Sequence, residues 1–124
     1  MRKIKDFKIH NVKNIISLAM FGSYNTKYWI EGKSDIDILV LMKKREDVMD
    51  EFDLEDDLIP ELEKYFQYNK IHLTFLTTRD FDSIFARQYL DSDDKLIVDE
   101  LSEIDFRLYI NKYLRNEKWI KKDR

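Results

Sequence analysis

Residues 15–21, IISLAMF, form a short apolar run, broken only by Ser17, that stops at Gly22, the pattern of a buried strand. Residues 35–42, DIDILVLM, open with two acids and then turn apolar at every position. A strand covered on both faces has that character, so this one is expected at the centre of a sheet. In 70–77, KIHLTFLT, Ile71, Leu73 and Phe75 alternate with His72, Thr74 and Leu76, which predicts a half-buried strand. Leu54, Leu58, Leu62 and Phe66 recur at i, i+4 with Tyr65 beside them, the stripe of an amphipathic helix packed on the sheet. Pro60 lacks an N–H and fits only a first helical turn, so that helix is expected to begin or bend just before it. In 77–90, TTRDFDSIFARQYL, Thr77 and Asp80 have capping-box spacing, and Phe81, Ile84, Phe85 and Gln88 keep a helical period. DSDDK (91–95) reads as a solvated loop, without the glycine and terminal glutamate of an EF-hand. From Ser102 onward, Phe106, Tyr109, Ile110, Tyr113 and Leu114 predict a C-terminal helix with a basic exposed end. The expected order is strand, strand, helix, strand, helix, helix, with room for a short helix at the N-terminus.

This order fits an α+β fold of the α/β-sandwich kind: a small mixed sheet with helices packed on it and a C-terminal helix. At 124 residues the chain is read as one domain, 1–124, of which 102–124 form a helical extension. An apolar fraction of 44% with 17 aromatic residues describes a folded chain. There is no cysteine, which excludes disulfides and thiolate metal sites. The net charge of -3 hides segregation, because residues 46–63 hold ten acids and no base while 111–124 lean basic. Both blocks are read first as solvated faces, and as complementary surfaces they also allow a homodimer. The acidic balance speaks against duplex nucleic acid as a ligand. The basic start and the short apolar run after it fall far short of the ~20 residues of a membrane span, so a cytoplasmic protein with no membrane partner is expected.

The chemistry concentrates in FGSYNTKYWIEGKSDID (21–37). Asp35 and Asp37, at i, i+2 on an extended segment, put two carboxylates on one side of the sheet, where they repel unless a cation lies between them. Mg²⁺ suits such oxygen ligands and takes its remaining ones from water and substrate phosphates, so the pair points to a nucleotide. Gly22 and Ser23 end the preceding strand in a tight turn whose backbone N–H groups and hydroxyl can hold phosphate.

MFGS at 20–23 and SDIDILV at 34–40, with eleven residues between Ser23 and Asp35, resemble the signature of the minimal nucleotidyltransferases of the DNA polymerase β superfamily. The resemblance implies the polymerase β-like nucleotidyltransferase fold, with an acceptor hydroxyl attacking the α-phosphate of a nucleoside triphosphate as pyrophosphate leaves. By the same resemblance Gly22 and Ser23, with Ser34 heading the second motif, would hold the nucleotide, ATP being the expected one. Asp35 and Asp37 would ligate Mg²⁺ or Mn²⁺. It also implies a protein acceptor, because small proteins of this kind often serve as antitoxins to helical HEPN ribonuclease toxins and can modify them with AMP. An acceptor-binding domain is not expected within the chain.

Active family members carry a third carboxylate on the next strand, and KIHLTFLT has none. Strand alternation gives the corresponding position to His72, or failing that Thr74. A neutral imidazole can serve as general base but is a poor ligand for a hard metal. Asp80 and Asp82 are the other acids near enough in sequence to be considered. Lys27 and Lys33 are the cations of the loop, Tyr28 and Trp29 its large aromatics, and solvation and packing are their simpler roles. Two functions therefore stand side by side: a nucleotidyltransferase, or a catalytically degenerate module that binds nucleotide or a partner.

Overall fold

The two apolar runs lie antiparallel at the middle of a four-stranded sheet, β1 (Ile15–Phe21) beside β2 (Ile36–Met42). The computed structural model describes the backbone of residues 2–10 and 13–122 and the side chains of these up to 117. β3 (Ile71–Thr77) pairs parallel with β2, and a short β4 (Lys95–Ile97) pairs antiparallel with β1, giving the order β3-β2-β1-β4. The central place expected for 35–42 is observed. A parallel neighbour needs a crossover, and α1 (Val48–Phe66) supplies it. A register shift between Ile15 and Ser17 turns Ile16 away from the α1 side.

Each face of the sheet has its own core. Ile15, Leu18, Ile38 and Val40 meet Leu54, Leu58, Leu62 and Phe66 of α1, together with Ile4 and Phe7 of the N-terminal segment. Each of those α1 anchors contributes roughly 1.5–3 kcal/mol by leaving water. On the other face Ile16, Ala19, Leu39 and Leu41 meet Ala86 and Tyr89 of α2 (Ile84–Asp91) and Phe106 and Ile110 of α3 (Glu100–Lys122). None of the described helices is long and apolar enough to cross a membrane.

Several expectations need correction. α1 starts twelve residues before Pro60, at an Asp47 cap whose side chain accepts the Met49 N–H while Asp50 reciprocates onto the Asp47 N–H. Pro60 sits inside the helix on its exposed side, where water can reach the carbonyl deprived of a partner. The Thr77–Asp80 box closes only a 3-10 turn (Thr78–Asp80), and α2 takes its own cap from Ser83, which accepts the Ala86 N–H. The loop 91–95 is not wholly solvated, because Asp94 is buried and accepts the N–H groups of Ile4 and Lys5 at 2.9 and 3.0 Å. β4 went unpredicted, being three residues without a readable period. The helix expected from Ser102 begins at Glu100, and the side chains of its basic end from residue 118 lie outside the described residues. A 3-10 turn at Ile4–Asp6 occupies the place allowed for a short N-terminal helix.

Polar groups are paired both between the layers and within α3. Tyr89 and Ser17 share a hydrogen bond at 2.7 Å, and Glu103, almost fully buried, accepts from Arg107 Nε. Burial raises the Tyr89 phenol above its ordinary range, so it stays a neutral partner. Asp99 caps α3, with Ser102 N–H on one oxygen and Ser102 O–H on the other, and those bonds lower its pKa.

Asp94→Ala should cost about 2–4 kcal/mol in urea unfolding, since it leaves two N–H groups of the N-terminal segment without an acceptor. A loss well under 1 kcal/mol would show that Asp94 does not hold this segment. For Asp99 the lowered folded pKa means that its stabilisation is present above the unfolded carboxylate range and disappears as pH falls through the folded value. Asp99→Ala should therefore lower the thermal midpoint at neutral pH, and the gap to wild type should narrow as pH falls from about 5 toward 2.

Candidate active site

The ladder places Asp37, the second residue of β2, between Phe21 of β1 and His72 of β3. Gly22 follows Phe21 directly, at φ 75°, a left-handed conformation that side chains disfavour. A Cβ built on it would lie 2.5 Å from Asp37 Oδ2, well inside contact distance. Glycine is thus required twice, by the turn and by the carboxylate that fills the space a side chain would take. The end of β1 and the start of β2 close on each other as one corner.

Asp35 precedes β2 by one residue and is exposed, on the same side as Asp37 by strand alternation. Burial raises the Asp37 carboxyl above its ordinary range; His72 pulls it down, and the Asp35 charge pushes it up again. A half-buried acid with a second carboxylate beside it is best satisfied by a cation. The donor set, two carboxylates beside a glycine turn, fits one hard divalent ion that completes its shell with water and phosphate.

His72 stands opposite Asp37 in the β2–β3 register, with Nδ1 3.4 Å from Asp37 Oδ1 and its side chain 61% exposed. Alternation alone indicated that position. Thr74 lies one step further along, opposite Leu39. Asp80 does not supply a third acid. It accepts the Thr77 N–H at 2.9 Å and faces Arg45 at 3.6 Å, and Thr77 is five residues from His72, roughly 17 Å along the strand. Among the described residues no three His, Cys, Asp or Glu side chains converge on one point, so Asp82 does not join Asp35 and Asp37 either.

Ser23 lies in the turn after Gly22, its carbonyl accepting the Thr26 N–H at 2.9 Å. Ser34 Oγ accepts the Ile30 N–H at 2.9 Å, which closes the loop just ahead of Asp35. Lys27 lies over the ring of Tyr28, itself 72% exposed, and Lys33 is exposed. Trp29 is a packing residue, between Tyr24 and Tyr68 with ring centroids 5.2 Å from each. Sequence reasoning missed Tyr68, whose hydroxyl donates to the Ser34 carbonyl at 2.6 Å and accepts the Gly32 N–H at 2.9 Å. Its position just past the end of α1 was the sole signal, and that signal carries no chemistry.

The model of the nucleotidyltransferase domain family matches residues 1–123. Among solved structures, the chain is similar to one in a crystal structure of a mutant toxin–antitoxin MntA–HpeT pair, at 18% identity and a TM-score of 0.52, with 92% of this chain and 83% of that one covered. Likeness at that identity shows the fold. No curated protein matches by sequence. A family match across almost the full length, on a fold shared with that structure, makes this chain a member of the nucleotidyltransferase domain family.

Proposed function

We propose that the protein transfers a nucleoside monophosphate, AMP from ATP, to a hydroxyl of a partner protein. The observation that supports this reading is the closeness of the Asp37 carboxylate to Gly22, which puts an acid and a left-handed glycine turn at one corner. Magnesium or manganese on Asp35 and Asp37 would supply neutralisation of the phosphate and departing pyrophosphate oxygens. The turn at Gly22 would present its backbone N–H groups to the polyphosphate, and Ser23 and Ser34 would offer hydroxyls to it. His72, exposed beside Asp37, takes the proton of the acceptor hydroxyl as its oxygen bonds to the α-phosphorus and the bond to pyrophosphate breaks. The toxin–antitoxin pairing of the similar structure supports a protein acceptor, and a helical HEPN-type toxin is the candidate.

A second reading has its own observation. The residue opposite Asp37 is an imidazole, where the family resemblance implies an acid, and this favours a module that binds nucleotide or partner without transfer.

Incubation with ATP, Mg²⁺ or Mn²⁺ and the protein encoded beside it, followed by mass spectrometry, separates the two readings. Transfer should appear as added AMP on the partner and fall at least about a hundredfold in Asp35→Ala and Asp37→Ala. Metal-dependent ATP binding with no AMP on any acceptor would establish the binding module instead. His72→Ala should lower transfer by about a hundredfold, and unchanged transfer would remove the general-base role.

The Asp37 environment also sets a pH dependence. A carboxyl whose folded pKa is raised favours the fold below its unfolded value and loses that contribution as pH rises through the folded one. Without divalent ions, Asp37→Asn should therefore melt higher than wild type at pH 7, with the advantage shrinking toward acid pH. A lower midpoint for Asp37→Asn at pH 7 would contradict the electrostatic description.

A further inference from the structure

Asp35 and Asp37 are held in different ways. Asp37 lies within β2, its backbone locked between two neighbouring strands, whereas Asp35 precedes the strand and its carbonyl accepts from a side chain, the Trp29 indole N–H at 3.2 Å. The segment leading into it is fixed in the same manner. Tyr68 Oη bridges it, accepting from Gly32 and donating to Ser34, while Ser34 N–H returns to the Ile30 carbonyl at 2.8 Å. The Tyr68 ring packs against the indole that bonds Asp35. On the far side the indole meets Tyr24, which packs on Phe66 of α1. Tyr68 follows Gln67, the left-handed residue that ends α1, so the end of that helix reaches directly to the loop.

We infer that Tyr68, acting with Trp29, is the positioning residue that holds Asp35 in place as the second carboxylate of the metal-binding pair. The inference rests on the reading of Asp35 and Asp37 as ligands of a divalent cation. Asp35 is exposed and outside the ladder, and a carboxylate there samples many directions unless its backbone is fixed. A hydroxyl with a donor on one side and an acceptor on the other fixes the chain at Gly32 and at Ser34 together. Phenylalanine at 68 keeps the ring stack and removes both bonds, which isolates the hydroxyl. Tyr68 contacts neither nucleotide nor metal in this scheme, and its effect is transmitted through Asp35.

The test is Mn²⁺ binding to the full chain without nucleotide, followed by electron paramagnetic resonance, for wild type, Tyr68→Phe, Asp35→Asn and the double variant. Tyr68→Phe should weaken Mn²⁺ about tenfold, the scale of an outer-shell partner, and should weaken it no further in the Asp35→Asn background. Wild-type affinity in Tyr68→Phe, or a loss that adds fully to that of Asp35→Asn, would overturn the positioning role while leaving the metal site standing. Absence of Mn²⁺ binding by the wild type would instead overturn the reading of the carboxylate pair, and the inference with it. Should Tyr68→Phe fail to fold, Trp29→Phe removes the indole donor alone and is judged by the same four-way comparison.

Discussion

The contact between the Asp37 carboxylate and the backbone of Gly22 is the constraint on which the rest depends. It demands a glycine in a left-handed conformation at the end of β1 and an acid at the start of β2, with Phe21 opposite Asp37 in the register. A slip of one residue would turn Asp37 to the α1 side and carry Ile38 and Val40 away from Leu54, Leu58 and Leu62. The two faces are packed with different sets of side chains, and exchanging them would break the fit of both cores. Core packing thus sets the register, and the register sets the corner.

The corner has a cost to the fold. A carboxyl whose charge is disfavoured by burial, with Asp35 as a like-charged neighbour, stores unfavourable electrostatics that a bound cation would relieve. On the proposed reading, function and stability compete there, as is common at binding sites. Stability is supplied elsewhere, by the two cores and by the buried Asp94, whose carboxylate holds the N-terminal segment while its carbonyl accepts the Met20 N–H of β1. The aromatic row from α1 through Tyr24, Trp29 and Tyr68 then stiffens the loop, extending the order of the core to a segment outside the sheet.

The sheet was legible where burial imposes a period. Apart from Ser17 and Asp37, residues 15–21 and 36–42 are apolar because both faces are covered, and the alternation in 71–77 sends His72 to the side of Asp37. The acid pair and Gly-Ser were legible because their chemistry is local in sequence. Long-range contacts were not: Asp94 looked like one more solvated acid, and its burial is set by the N–H groups of Ile4 and Lys5, ninety residues away. The start of α1 was obscured by Pro60, which the helix accommodates on a solvent-facing side, where water reaches the carbonyl left without its N–H. Tyr68 was hidden because a tyrosine past a helix end has no signature until the loop it holds is seen.

The most direct measurement is a crystal structure with Mn²⁺ and a non-hydrolysable ATP analogue, the metal being located by its anomalous signal. The account predicts one peak within about 2.0–2.3 Å of a carboxylate oxygen from each of Asp35 and Asp37, with the analogue's phosphates against Gly22 and Ser23. A peak that contacts neither acid, or phosphates bound away from that turn, would contradict it.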